Sequence, residues 1–217
     1  MRFIYVFTVL ILLSLSAMAQ TFIGFGPRIG TTSASSGPAG SQTQAGAEVR
    51  GALNVPLGLV EMEVGGSMGF FNQLRFFDNG SGGVFEAEPV GRMYISVNDR
   101  WSIYFEGGGN MQRFNDITVF NPSAGFGARN VKRDEAGNTQ RIIRFGYRCY
   151  FDDTVNSALA PQVWRGFQFN TDVYKKFSPN SPLGFIAGIK IDRQSNSILG
   201  GARTQPSVYA ALTIGGK

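Results

Sequence analysis

Glu61 with Glu63, and Glu86 with Glu88, are carboxylate pairs two residues apart, the spacing that sets two side chains on one face of a strand. Paired carboxylates of this kind can divide general-acid and general-base work in glycoside hydrolysis. The sequence contains no histidine, so an imidazole base, a His-oriented nucleophile and an imidazole metal ligand are all excluded. Its single cysteine, Cys149, can form neither an intramolecular disulfide nor a multi-cysteine zinc site, and reads as a small buried or lipid-facing thiol. Asp78-Asn79-Gly80-Ser81-Gly82-Gly83 offers oxygen ligands without the spacing of a calcium loop, and reads as a turn. Gly24-Phe25-Gly26-Pro27-Arg28-Ile29-Gly30 has the glycines of a phosphate loop but neither its spacing nor a following helix. The expectation is a chain with no catalytic, cofactor or metal site, in which same-face carboxylates are the ordinary product of a charged strand face.

The elements that must position these carboxylates are strands. From Val60 to Phe70 the even positions are Val60, Met62, Val64, Gly66, Met68 and Phe70, against Glu61, Glu63, Gly65, Ser67 and Gly69. The same period of two runs through 85–97, where Phe85, Ala87, Met93 and Ile95 oppose Glu86, Glu88, Arg92 and Tyr94, and through 101–112, where Trp101, Ile103 and Phe105 oppose Ser102, Tyr104 and Glu106. It recurs at 23–29, 47–55, 167–174, 184–192 and 207–214, and no comparable stretch fits a helical period. Pro56-Leu57-Gly58, Asn98-Asp99-Arg100 and Ser178-Pro179-Asn180-Ser181-Pro182 are tight turns. They alternate with longer polar links at about 30–44, 73–82, 115–161 and 194–203. Arg141 to Phe151 also has strand character, which would give nine; a closed up-and-down barrel with both termini on one side needs an even number. It is therefore expected as a hairpin arm of the third long link, paired with Ile117 to Phe120, leaving eight strands; ten strands is the alternative if both pieces join the wall.

Alternation does not say which face is inside. A soluble lipocalin-like barrel turns its apolar face inward, and a membrane barrel turns it outward. Several segments exceed the ~9–11 residues needed to cross a bilayer, and the polar face is small and of mixed charge. Trp101, Phe177, Phe70, Phe71 and Phe114 fall near strand ends, as an aromatic girdle would. Inward polar faces would gather Glu48, Glu61, Glu63, Glu86, Glu88, Glu106, Asp172 and Asp192 against Arg28, Arg50, Arg92 and Lys190. Such desolvated charges must pair. Carboxylates outnumber bases in that set, leaving open an acidic path for a cation.

The remaining features concern destination. Arg2, the apolar run Phe3 to Leu13 and the small-residue ending Ser14-Leu15-Ser16-Ala17-Met18-Ala19 read as a signal peptide over 1–19, with a single barrel domain over 20–217. Of the 217 residues 29 are glycine, without a collagen period, and 43% are apolar, too many for a disordered polymer. Arg129, Lys132, Arg133, Arg141, Arg144, Arg148 and Arg165 concentrate in the third long link, where a basic arm would meet lipopolysaccharide or another surface ligand; no nucleic-acid motif accompanies the charge.

On these grounds the chain resembles the small outer-membrane β-barrel proteins of Gram-negative bacteria, of the outer membrane protein A transmembrane-domain and porin-like type. The resemblance covers about 21–215 and includes the hairpin from Phe85 to Phe114 with its Gly107-Gly108-Gly109 centre. It implies an eight-stranded antiparallel transmembrane barrel in the bacterial outer membrane, exported by the cleaved leader, with outer-membrane lipid as its partner and a structural or surface-interaction role. Enzymatic barrels of this kind rely on a histidine, so the resemblance also implies no catalysis. A soluble periplasmic or secreted barrel binding an apolar ligand is the alternative, and it requires Phe105, Ile189 and Leu212 to line a core.

Overall fold

The computed structural model describes residues 20–34, 42–72, 83–114, 117–151, 164–178, 180–196 and 201–215. The expected signal segment 1–19 and most of the turn expected at 78–83 lie outside them. Among the described residues there are ten strands: β1 (Gln20–Ala34), β2 (Gln42–Leu57), β3 (Val60–Phe71), β4 (Val84–Ser96), β5 (Trp101–Phe114), β6 (Ile117–Arg133), β7 (Thr139–Tyr150), β8 (Trp164–Lys176), β9 (Leu183–Asn196) and β10 (Gly201–Gly215). Each pairs antiparallel with its sequence neighbours, and β1 pairs with β10 to close the barrel. Closure removes both sheet edges, so every strand has ladder partners on two sides.

The expectation of eight strands is corrected to ten. The stretch 115–161 is mostly wall: Ile117–Arg133 and Thr139–Tyr150 form a hairpin whose turn carries Gly137 at φ 84°, a left-handed conformation that glycine adopts freely. The Asp134 carboxylate accepts the Asn138 backbone N–H at 2.7 Å across that turn. Adding a whole hairpin keeps the strand number even. The pattern is faint in β6 because its outward side is largely small, with Ala124 and Ala128 around Phe126, and its inward side includes Gly125 and Gly127. Strands β1 and β2 also take up the ends of the first long link, through Ala34 and from Gln42.

Burial alternates with period two along the wall, and the apolar residues are outside. Phe105 is 53% exposed, Ile189 47% and Leu212 70%, while Glu63 is 1% exposed and Asp192 is fully buried. A soluble barrel with an apolar core is excluded by this inversion, since so extensive an outward apolar surface is stable only against another apolar phase. Trp101, Phe177 and Phe70 point outward as a girdle requires, but Phe71 points in and lies under the Arg28 guanidinium at 3.9 Å from its ring centroid. The side chain of Phe114 lies outside the described residues.

Aromatic type largely sorts by side, Tyr147 on the outer face between Phe126 and Phe167 being the exception among the described tyrosines. Tyr94, Tyr104, Tyr150, Tyr174 and Tyr209 all face the lumen, where their hydroxyls meet polar groups, whereas most phenylalanines face out. Glycines opposite the tyrosines make the room. A Cβ on Gly127 would come within 2.5 Å of the Tyr104 ring, and one on Gly146 would overlap its hydroxyl.

Towards the end closed by the short turns, the lumen holds an apolar cluster among polar neighbours such as Ser102, Thr139 and Lys176. Phe22, Ala52, Val131, Ile142, Tyr174, Ile186, Tyr209 and Ala211 form one buried cluster, with Phe22 stacked on Tyr174 at 5.3 Å. Further along the axis the filling becomes ionic.

Candidate functional site: the charged lumen

All twelve residues expected in the lumen, Arg28, Glu48, Arg50, Glu61, Glu63, Glu86, Glu88, Arg92, Glu106, Asp172, Lys190 and Asp192, stand on inward positions of their strands. The register explains their meeting. Glu63 of β3 lies opposite Arg92 of β4, which lies opposite Glu106 of β5. Arg92 bonds both carboxylates, donating its Nε to Glu106 at 2.8 Å. Arg28 reaches Glu86 at 2.7 Å and Glu48 at 3.4 Å and also donates to Gln44, while Arg50 bonds Glu48 and lies 3.4 Å from the Tyr209 ring centroid. Lys190 bonds Glu88, which also accepts from Asn110. Asp192 accepts from the Tyr150 hydroxyl and from the Gln168 amide at 2.8 Å.

Three arginines complete the network. Arg144 donates to both oxygens of Glu63 at 2.9 and 3.0 Å and to Asp172 at 3.0 Å. Arg148 donates to Glu106 at 2.8 Å. Arg129 forks onto Glu61 at 2.6 and 2.7 Å, with its guanidinium 3.6 Å from the Tyr94 ring centroid. These are residues expected in a basic outer loop, and the structure moves them into the lumen because β6 and β7 belong to the wall. With them and Lys176, which is buried at the end of β8, the apparent carboxylate excess disappears: among the described residues eight acidic side chains face eight basic ones. Arg129 and Arg144 are directly opposite on neighbouring strands, and each is drawn to different carboxylates across the lumen. Period two applied through β7, with Arg144, Gly146, Arg148 and Tyr150 on one side, is the signal that would have found them.

The longest bridges cross the lumen. In the ring of ten strands β4 and β9 are five steps apart, so Glu88–Lys190 joins opposite walls, and Glu63–Arg144 joins β3 to β7. Such bridges occupy the bore and brace it. Among the described residues no group of three or more His, Cys, Asp or Glu is placed to hold a metal. The glycosidase-like pairs are spent: Glu61 and Glu63 accept from Arg129, Arg92 and Arg144, and Glu86 and Glu88 from Arg28 and Lys190.

An apolar exterior, a paired ionic interior and a closed meander with both ends at the short turns fix the type of protein. The chain is a closed ten-stranded β-barrel of the membrane-spanning build. No family model and no curated protein matches the sequence. Similar solved structures include an anion-selective porin from Comamonas acidovorans, at TM-score 0.39 and 9% identity over 80% of this chain and 55% of that one. Ail, the attachment invasion locus protein of Yersinia pestis, has TM-score 0.37 and 8% identity, with 90% of this chain and 99% of that one covered. The KdgM porin has TM-score 0.36 and 12% identity over 87% and 97%. The chain thus spans about half the length of the Comamonas porin. These overlays are loose, and the architecture rests on the barrel's own strand order and burial.

Cys149 of the barrel is a free thiol on the outer face of β7, opposite Ala124 and Phe167 on the neighbouring strands.

Proposed function

We propose that this barrel has a structural and surface-interaction role in the outer membrane of a Gram-negative bacterium, reached through a cleaved leader, and that it neither catalyses a reaction nor conducts ions freely. The carrying observation is the Glu88–Lys190 bridge between opposite strands, in a lumen whose other carboxylates are likewise engaged. Carboxylates held by arginine forks lack the free lone pairs that a cation path or an acid/base pair uses. The apolar cluster at the short-turn end supports the same reading, because an ion would have to shed its water to pass it. Contact with lipopolysaccharide or other surface ligands then falls to the links at the opposite end, not to the arginines of β6 and β7.

The test is membrane fractionation, a comparison of boiled and unboiled mobility, and recording in planar bilayers. Recovery with the outer membrane, a heat-dependent shift and flat traces are expected. Recovery in the soluble fraction without a shift would overturn the membrane reading. Conductance steps that shrink on Glu88→Gln would overturn the closed-lumen reading.

A further inference from the structure

Seven inner cations have carboxylate partners; a row on the outer face has none among the described residues. Lys132 of β6 stands directly opposite Arg141 of β7, and Arg141 directly opposite Lys175 of β8. Side chains opposite one another on neighbouring strands have Cβ atoms ~4.5–5.5 Å apart, and like charges so placed repel. All three lie within two residues of the short-turn ends of their strands. One step further from that end on the same face the row is Asn130, Ile143, Val173 and Ala187, which begins the apolar band. The exposed rings of Trp101 and Phe177 flank the cations at the level of the girdle.

The local backbone is built to present this row. Lys132 faces Arg141 but Arg133 faces Thr139, so Gln140 is an extra residue in β7, a bulge that turns Gln140 and Arg141 out together while Thr139 stays buried. The three cations share a groove of about 360 Å³ with Lys176, Gln140, Phe177 and Ser178, and among the described residues no acidic side chain lines it. The Arg141 Nε is buried without a hydrogen-bond partner among the described residues. The acidic groups nearest this end, Asp99, Asp134 and Glu135, line an adjoining depression that Lys132, Arg133 and Arg141 also border; the Asp134 carboxylate there is taken by Asn138, and no ion pair joins these acids to Lys132 or Arg141 among the described residues.

We propose that this groove seats the phosphodiester headgroup of an anionic phospholipid in the leaflet at the short-turn end of the barrel. The Arg141 fork matches two phosphate oxygens, Lys132 and Lys175 supply the flanking charge, and an anion between them turns three mutual repulsions into attractions. The acyl chains then continue along the apolar band above. This rests on the reading of the outer face as membrane-embedded.

The experiment is native mass spectrometry of the full refolded chain in detergent, titrated with phosphatidylglycerol, phosphatidylcholine or inorganic phosphate. One retained phosphatidylglycerol is expected, preferred over phosphatidylcholine by about 100-fold, with about fivefold lost per cation removed. The triple variant Lys132→Gln, Arg141→Gln, Lys175→Gln should lose the preference, and Arg193→Gln, near the opposite end, should keep it. Arg141→Gln alone, expected to lose about fivefold, serves if the triple variant fails to fold. Equal retention of the two lipids by the wild-type chain, equal binding by wild-type and triple variant, or displacement of the lipid by inorganic phosphate would each overturn the proposal. A heat-dependent gel shift with no lipid preference removes this site alone, whereas loss of the shift in the wild-type chain removes the membrane reading beneath it.

Discussion

The hairpin β6–β7 presents cations to two different surroundings. On its inner face Arg129, Arg144 and Arg148 each end in a carboxylate of another strand, while on its outer face Lys132 and Arg141 lie opposite each other and make no ion pair among the described residues. The residue types are similar and the positions interleave, so the difference comes from side-chain parity. A charge turned inward leaves water and must be paired within the protein. A charge turned outward at a strand end lies at the edge of the bilayer, where its partner can come from the lipid.

Breaking the inner half of this comparison should have the largest effect. Arg144→Met removes the cation between Glu63 and Asp172 and leaves Asp172 buried, which should cost about 3–5 kcal/mol and move the urea midpoint of the heat-modifiable form sharply down. Adding Asp172→Asn should recover part of that loss, because the stranded charge is then gone. A midpoint that does not move would show that the lumenal pairs carry no stability.

A charge on the outer face at mid-strand tests the other half. Ile189 is half exposed to the surroundings and Lys190, its neighbour in sequence, is buried and paired to Glu88. Ile189→Arg should destabilise the barrel by about 2–4 kcal/mol in lipid, the cost of a cation near the bilayer midplane. If the variant matched wild type in liposomes, the outer face would not be facing lipid.

Much of this arrangement was legible in the sequence, and the parts that were not have two causes. Period-two alternation placed all twelve candidate lumenal residues on the correct face, because strands such as Val60–Phe71 contrast large apolar side chains with charges. It was faint in β6, where the outward positions include Ala124, Ala128 and Asn130, whereas β7, legible as a strand from Arg141, falls to a loop arm because nine strands do not close an up-and-down barrel with both termini on one side. With two wall strands read as a hairpin arm of an outer loop, the arginines that neutralise Glu61, Glu63, Glu106 and Asp172 became surface residues, and the lumen took on a false acidic excess. The apolar cluster was hidden for another reason: Phe22, Val131, Ile142 and Ile186 are inward-facing hydrophobic residues, exceptions to the polar-inward rule that occur on recognised and unrecognised strands alike.

A smaller effect tests how tightly the hairpin is fitted around the tyrosines. Gly127 and Gly146 leave the space that the Tyr104 ring occupies, and the Tyr104 hydroxyl donates to the Phe145 carbonyl at 3.2 Å. Gly146→Val should cost about 1–3 kcal/mol by overpacking, and pairing it with Tyr104→Ala should relieve most of that cost. Additive losses in the double variant would mean that the glycine serves the backbone and not the ring.

The smallest effect is the one that separates the two faces most cleanly. Arg141→Gln removes a cation that stands between two others, so in zwitterionic lipid the relief of repulsion, about 0.2–1 kcal/mol per opposed pair, should leave the urea midpoint unchanged or slightly raised. In phosphatidylglycerol liposomes the sign should reverse, because the same cation then contributes about 1 kcal/mol of attraction to the anionic headgroup. Arg144→Met, by contrast, should lose stability to the same extent in both lipids, since its carboxylate partners are fixed inside the wall. A loss from Arg141→Gln that was equally lipid-independent would place its partner within the protein and erase the distinction between the two sides of the hairpin.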